Sequence, residues 1–298
     1  MQEISELKNQ LDLPSPLQRV YFSEWKSVDV EIYIKRDDKI HPAISGNKYR
    51  KLSGHLSKFY QGNYEGIITF GGAYSNHILA TAAACSILKI PAIGIIRGEI
   101  DEHNPALKYA TSQGMKLIPL ARQFYKQKDY SKLKSSYSDI HFESWYEVPE
   151  GGSGRDGLSG CAGILEELNM DFDYYVTACG TGTTAAGLLK YSSPSSEIIG
   201  VSVLKGPDRL TEHIHSLCPQ DNIHIITGYH FGGYAKTQKE LLVFARKFIR
   251  ETGIPLDYVY TAKMIYAVDD MLKKNWFKTG SKIMLLHTGG LVNAPIQI

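Results

Sequence analysis

The sequence predicts an α/β protein made of doubly wound, mostly parallel sheets, and three observations carry that expectation. Short apolar runs of strand type alternate with helical stretches along the chain. Several of these runs are apolar throughout, as strands covered on both faces are. Three strand ends also open into loops of glycine and hydroxyl residues, where doubly wound sheets bind ligands. These loops are Gly71-Gly72-Ala73-Tyr74-Ser75-Asn76, Gly180-Thr181-Gly182-Thr183-Thr184 and Thr288-Gly289-Gly290.

Residues 1–30 read as irregular, with Pro14-Ser15-Pro16-Leu17 as a turn-rich entry. Val30 to Ile34 alternates and reads as a strand. A helix is expected from about Asn47 to Tyr60, then a strand from Gly66 to Phe70 and an alanine-rich helix from Ser75 to Leu88. Pro91–Ile96 and Lys116–Leu120 read as strands, with a helix at Pro105–Gln113 between them. Residues 121–150 are polar and rich in Tyr and Lys, which suggests a crossing between two α/β halves. Beyond it come a helix from about Ser159 to Asn169, a strand at Tyr174–Ala178 and a helix beginning near Ala185. The remaining elements are a strand from Ile198 to Val203, helices at Lys236–Thr252 and Tyr258–Lys274, and a strand from Ile283 to His287.

At 298 residues the chain can bury a sizeable core. Its 43% hydrophobic and 21% charged content is that of an ordinary globular protein. A formal net charge of +2, with no basic block interleaved with aromatics, argues against a nucleic-acid partner. No apolar run approaches the ~20 residues that span a bilayer, so no membrane partner is expected. The polar, acidic start Met1-Gln2-Glu3-Ile4-Ser5-Glu6 does not read as a signal peptide. The four cysteines are widely spaced without a CxxC pair, which fits reduced thiols and a cytoplasmic location. No zinc spacing occurs, and the ten histidines contain no HExxH pair, so no metal site is expected.

The chemistry starts at Ser45-Gly46-Asn47-Lys48-Tyr49-Arg50-Lys51-Leu52. Glycine permits a left-handed turn, and Ser or Asn beside it can cap a helix. Lys48 then falls on the first turn, where the helix dipole and the neighbours Arg50 and Lys51 disfavour a further positive charge. A lysine with a lowered pKa is the nucleophile that Schiff-base chemistry needs. The loop from Gly180 to Thr184 puts backbone N–H groups and hydroxyls at a helix start, a phosphate cradle without a Walker lysine. It also satisfies G-x-G-x-x-A through Gly180, Gly182 and Ala185, which raises a nicotinamide-dependent dehydrogenase as an alternative. Against that, Gly200–Lys205 carries no acid for a ribose, although Ser202 and Lys205 would suit a 2′-phosphate. Ser45-x-x-Lys48, Tyr74-x-Asn76 and Lys278-Thr279-Gly280 imitate penicillin-recognising serine enzymes, whose fold is not a succession of βαβ units.

A lysine of this kind, a phosphate cradle and hydroxyl loops without a metal suggest pyridoxal 5′-phosphate. Lys35-Arg36-Asp37-Asp38, the block from Ser45 to Leu52, and Gly71 to His77 resemble the 1-aminocyclopropane-1-carboxylate deaminase and D-cysteine desulfhydrase family. So do Pro149–Ser153, Gly180–Thr183, Leu256–Lys263 and His287–Gly290, all in family order. The resemblance implies the tryptophan synthase β-like fold. Residues 1–50 and 156–298 would form the larger, cofactor-binding domain, and 51–155 the smaller α/β domain. It implies Lys48 as the Schiff-base lysine and base at the substrate Cα, Asn76 at the cofactor's phenolic oxygen, and Gly180, Thr181, Gly182, Thr183 and Thr184 around the phosphate. Thr288 would bond the pyridine nitrogen, Ser75 would bind the substrate carboxylate, and Tyr260 would be an acid/base or gate. Tyr74, Ser75, Asn76 and His77 would face the substrate, a small amino acid. A homodimer is also implied.

Within the family, the deaminases carry a second tyrosine shortly after the final Gly-Gly. Here the tail Leu291–Ile298 contains none, and an ungapped count puts Gln297 at that place. Thr288 before Gly289, and the Ser75-Asn76-His77 run, resemble the desulfhydrases. β-Elimination from D-cysteine to pyruvate, ammonia and sulfide is therefore the preferred reading, with 1-aminocyclopropane-1-carboxylate deamination to 2-oxobutanoate as the alternative. Gly71-Gly72-Ala73-Tyr74 departs from the aliphatic-Gln that usually precedes the Ser-Asn pair, which leaves room for a third substrate. A catalytically lapsed, ligand-binding member is the remaining reading.

Overall fold

The structure, a computed structural model, describes residues 2–127, 131–204, 208–291 and 296. Lys205 and the tail at 292–295, 297 and 298, including the Gln297 position, lie outside the described residues. The ten strands are β1 (Leu17–Arg19), β2 (Glu31–Lys35), β3 (Gly66–Gly71), β4 (Ala92–Arg97), β5 (Lys116–Leu120), β6 (Trp145–Val148), β7 (Tyr174–Cys179), β8 (Glu197–Ser202), β9 (Ile223–Ile226) and β10 (Lys282–Leu286). They form two sheets, ordered β1-β2-β10-β7-β8-β9 and β5-β4-β3-β6. Among the strands of the described residues, β1 runs antiparallel to β2 and the other strand pairings are parallel. β3 and β7 are buried along their whole length, which explains why their sequences are apolar without alternation.

Two helices set the site. The first, α1 (Asn47–Phe59), leaves the first sheet after β2 and enters the second through β3. Its buried residues Tyr49, Leu52, Leu56 and Phe59 recur at helical spacing. The second, α2 (Asn76–Leu88), follows β3 and is buried nearly all round, so its alanines allow close packing. Further on, α3 (Thr183–Tyr191) follows β7, α4 (Lys239–Thr252) packs its Leu241, Ala245, Phe248 and Ile249 stripe inward, and α5 (Thr261–Lys273) precedes β10.

The structure corrects four of the sequence expectations. The first thirty residues are not irregular, since they hold a helix at Gln2–Lys8 and the strand β1. Residues 121–150 are more than a connection: two six-residue helices lead to β6, which pairs with β3. The helix expected at 159–169 is two shorter ones, Arg155–Gly160 and Ala162–Glu166. A helix at Asp208–Leu217 and the edge strand β9 complete the first sheet. All four regions are short or half-polar segments whose pairing depends on distant strands, so local periodicity does not reveal them. Among the described residues, no helix is long and apolar enough to cross a membrane.

A buried ionic knot locks α1 to the first sheet. The Arg50 guanidinium, 2% exposed, donates to Asp37 at 2.8 and 3.0 Å and to Glu167 at 2.5 and 2.7 Å. Lys35 Nζ, fully buried, donates to the same Glu167 at 2.6 Å and to the Ser15 carbonyl at 2.6 Å. Burial by itself would raise the Glu167 carboxyl pKa, but Arg50 and Lys35 bring it below its ordinary value. Arg50→Met leaves buried Asp37 without its cation and Glu167 with Lys35 alone, and its expected cost is about 3–5 kcal/mol in chemical denaturation. Because the Glu167 pKa is depressed, its stabilisation is complete above the unfolded carboxyl value and is lost as pH falls through the lower folded one. A denaturation series on acidification should show that loss in the wild type and a smaller one in Arg50→Met.

Candidate active site

The three glycine-hydroxyl loops lie at the carboxyl ends of β3, β7 and β10 and converge on the start of α1. Gly46 caps α1 at φ +61°, and a Cβ there would sit 2.1 Å from the Thr288 carbonyl oxygen. Only glycine allows that backbone and that approach. No side chain caps this helix. Asn47 is engaged elsewhere: it accepts from Lys48 Nζ at 2.9 Å and donates through Nδ2 to Thr184 Oγ1 at 3.2 Å. One amide thus joins the lysine to the loop from Gly180 to Thr184.

Lys48 is half-buried, and its amine is held well below its ordinary pKa. Burial is the main cause, Lys51 adds repulsion, and Asp257 opposes both. Arg50 plays no part in this shift, because its charge is neutralised in the ionic knot. The sequence argument therefore reached the right direction through partly wrong causes. Burial thus favours the uncharged, nucleophilic form of the Lys48 amine.

Tyr260 lies over this amine, with its ring centroid 6.0 Å from Nζ, and packs on Gly180, where a Cβ would stand 3.4 Å from the ring. Its phenol pKa is raised, first by burial and then by Tyr234, Asp257 and Glu150. It is consequently protonated at neutral pH. Buried Asp257 accepts from the backbone N–H groups of Val259, Tyr260 and Thr261 and from Thr261 Oγ1, so it fixes the turn that aims Tyr260. Thr288 is 7% exposed in a loop held by His287, which donates from Nε2 to Pro255 O at 2.7 Å and accepts the Gly289 N–H at Nδ1.

Gly182 caps α3 at φ +84°. Thr183 and Thr184 begin that helix, so their N–H groups and those just before them face the cradle without helical partners. A cavity of about 400 Å³ borders this loop at Gly180 and Thr181, walled by Phe70, Tyr125, Glu150 and Arg209.

On the β3 loop, Ser75 caps α2 by accepting the Ile78 N–H at 3.3 Å, which leaves its hydroxyl proton to donate. Asn76 is half-buried, and Tyr74 is 60% exposed. His77 is 1% exposed and lies behind the loop against Gly152. Thr69 donates to the Val148 carbonyl, so His77 Nε2 carries the proton it shares with Thr69 Oγ1 at 2.8 Å. Burial, then Lys51 and Lys48, keep the imidazole neutral.

Lys51 is the residue that sequence reasoning treated only as a repelling neighbour. It is 3% exposed, and burial lowers its amine pKa to about 8. No carboxylate pairs with it among the described residues, and a Cβ on Gly151 would lie 4.0 Å from its Nζ. The available signal was its place one turn after Lys48 on the same helix face. Asn47 and Asp257 went unassigned in the sequence as well. Among the described residues, no group of three His, Cys, Asp or Glu side chains could hold a metal ion.

The family model described as "Pyridoxal-phosphate dependent enzyme" matches residues 9–289. The bifunctional D-cysteine desulfhydrase/1-aminocyclopropane-1-carboxylate deaminase, mitochondrial, of Arabidopsis thaliana is 30% identical over 94% of this chain and 77% of its own length. A crystal structure of a 1-aminocyclopropane-1-carboxylate deaminase homologue superposes with a TM-score of 0.79 at 26% identity, covering 98% of this chain and 95% of the other. The O-acetylserine dependent cystathionine β-synthase of Helicobacter pylori shares the fold, with a TM-score of 0.70 at 15% identity over 98% of each chain. The nicotinamide reading of Gly180, Gly182 and Ala185 falls with the family match, and the Ser202 hydroxyl at the end of β8 is bonded to the Leu204 carbonyl.

Gly46→Ala must strain a left-handed backbone by about 1–2 kcal/mol even before the Thr288 clash. It is expected to lower the melting temperature by more than about 4 °C. Lys48→Met, which removes a desolvated amine, is expected to leave the melting temperature unchanged or raise it. Thermal denaturation of the two cofactor-free variants checks both.

Proposed function

The chain belongs to the pyridoxal-phosphate dependent enzymes, among the relatives of 1-aminocyclopropane-1-carboxylate deaminase and D-cysteine desulfhydrase, and from that premise we propose that it catalyses β-elimination from a small D-amino acid. The preferred substrate is D-cysteine, which with one water yields pyruvate, ammonia and hydrogen sulfide.

The residues fit the cofactor. Buried Lys51 has no carboxylate partner among the described residues, its Nζ and Thr181 both lie about Gly151, and a phosphate monoester there would meet the amine and the N-terminus of α3. In this reading Lys51 and the loop from Gly180 to Thr184 would hold the phosphate, Asn76 the phenolic oxygen and Thr288 the pyridine nitrogen. When bound, pyridoxal phosphate withdraws electrons from the substrate Cα and so acidifies its C–H. A threonine rather than a carboxylate at the ring nitrogen favours a milder electron sink, which suits the loss of a leaving group.

Lys48 would carry the cofactor and, once released, take the Cα proton, a task that a lowered amine pKa favours. Ser75 would donate its O–H to the substrate carboxylate at the start of α2. Tyr260, protonated, would give its proton to the departing thiolate. His77, buried behind the loop, would support Thr69 and Gly152 rather than touch substrate, and Tyr74 would narrow the entrance. Residues 51–155 would move as the smaller domain against 1–50 and 156–298. A homodimer and a cytoplasmic location belong to the same proposal.

The observation that carries the reading is the Lys48 amine, its pKa held well below the ordinary value by burial, with the Tyr260 ring centred 6.0 Å from its Nζ. 1-Aminocyclopropane-1-carboxylate has no hydrogen on Cα, so this base cannot open its ring in the same way. Deamination of that substrate to 2-oxobutanoate stays as the second reading because of the relative's name.

Purified, cofactor-loaded protein should release sulfide and pyruvate from D-cysteine faster than 2-oxobutanoate from 1-aminocyclopropane-1-carboxylate. Lys48→Ala should lose that activity together with the visible absorption band of the lysine-bound cofactor. Tyr260→Phe should lower kcat about 10²-fold with little change in that band. A visible band without turnover of any D-amino acid in a panel would point to a catalytically lapsed, ligand-binding member.

A further inference from the structure

The mouth of the site holds a cation that the proposed reaction does not use. Arg97 ends β4, is exposed, and makes no ion pair with a carboxylate among the described residues. Its guanidinium lies 5.7 Å from the centroid of Tyr125. It also lies over the β3 loop: a Cβ on Gly72 would come within 3.2 Å of Nη2. Ser75, the proposed carboxylate donor, is three residues further along, and its N–H donates back to the Gly72 carbonyl at 3.0 Å.

A second element reaches the same mouth from the other sheet. Buried Lys263 on α5 donates to the carbonyls of His230 and Gly233 at 2.9 and 2.8 Å and so pins a loop with positive φ at Phe231, Gly232, Gly233 and Ala235. That loop carries Tyr234 to within electrostatic reach of Arg97, Tyr260 and Glu150. The rim is thus polarised. Arg97 stands on the Gly72 side, and the Glu150 carboxylate, which would repel an anion, stands at the cavity beside Thr181.

We propose that Arg97 is a specificity-determining residue of this site and that the substrate is a small amino acid bearing a second anionic group on its side chain. The Ser75 end of the loop takes the α-carboxylate, and Arg97 over Gly72 takes the distal anion. The inference rests on the proposed elimination site and narrows its small D-amino acid to one with a second anion, in place of D-cysteine as the preferred substrate. A carboxylate and a phosphate ester share the required chemistry, since a guanidinium binds either through paired N–H donors.

The test measures binding to the cofactor-loaded protein by titration calorimetry. The probes are D-aspartate against D-asparagine, and O-phospho-D-serine against D-serine. Wild type is expected to bind at least one anionic probe about tenfold or more tightly than its neutral partner, a charge-assisted contact of ordinary size. Whichever pair shows the preference identifies the anion. In Arg97→Gln the ratio should fall to near one while the neutral probes bind as before, and Arg97→Lys should recover part of it. Equal binding of both pairs in wild type, or a preference that survives Arg97→Gln, overturns the proposal. Failure of D-amino acid turnover with the binding preference intact sinks the elimination reading alone; turnover of D-cysteine without any preference sinks this one alone.

Discussion

The Arg50 guanidinium between Asp37 and Glu167 is the interaction on which the site depends. It is made two residues after Lys48, and it ties the first turns of α1 to the end of β2 and to the helix at Ala162–Glu166. A buried ionic group earns little net stability over apolar packing, but its geometry is exacting, because both carboxylates must be met. Here that requirement fixes the rotation and height of α1. Gly46 then meets Thr288, and Asn47 meets Thr184, at distances no wider side chain at position 46 would permit.

The electrostatics follow from that placement. α1 carries three cations in its first two turns, and each has a different fate. Arg50 is neutralised in the knot, Lys48 has its charge disfavoured by desolvation, and Lys51 is buried without a carboxylate partner among the described residues. The last two together make one site that can offer a nucleophile and still attract a phosphate. Asp257 moderates the arrangement from across the site, where it also holds the turn of Tyr260 and packs against Gly290. The same residue therefore sets both the charge felt by Lys48 and the phenol that overlies it.

Much of the fold was legible in the sequence because the strands of covered parallel sheets are largely apolar runs set between helices. β3, β4, β5, β7, β8 and β10 all lie where those runs are. What escaped reading was β1, β6 and β9, which are edge strands of three or four residues. Their half-polar sequences become strands only through a neighbour supplied by distant chain. In the site, the lysine, the cradle and the hydroxyl loops were legible from residue type and spacing. The inward turn of His77 and the pairing of Arg50 were not, since both depend on partners in Thr69, Asp37 and Glu167.

The sequence by itself determined the alternation of strand and helix, the glycines at the strand ends and the kinds of side chain available to the site. These are local properties: backbone freedom at glycine, apolar periodicity, and chemistry carried within a few residues. Tertiary structure alone decided which cation stays charged, which histidine faces inward, and that Arg97 and Tyr234, from different sheets, share one rim. The reason is that desolvation and Coulomb forces act through space, over distances the chain order does not record.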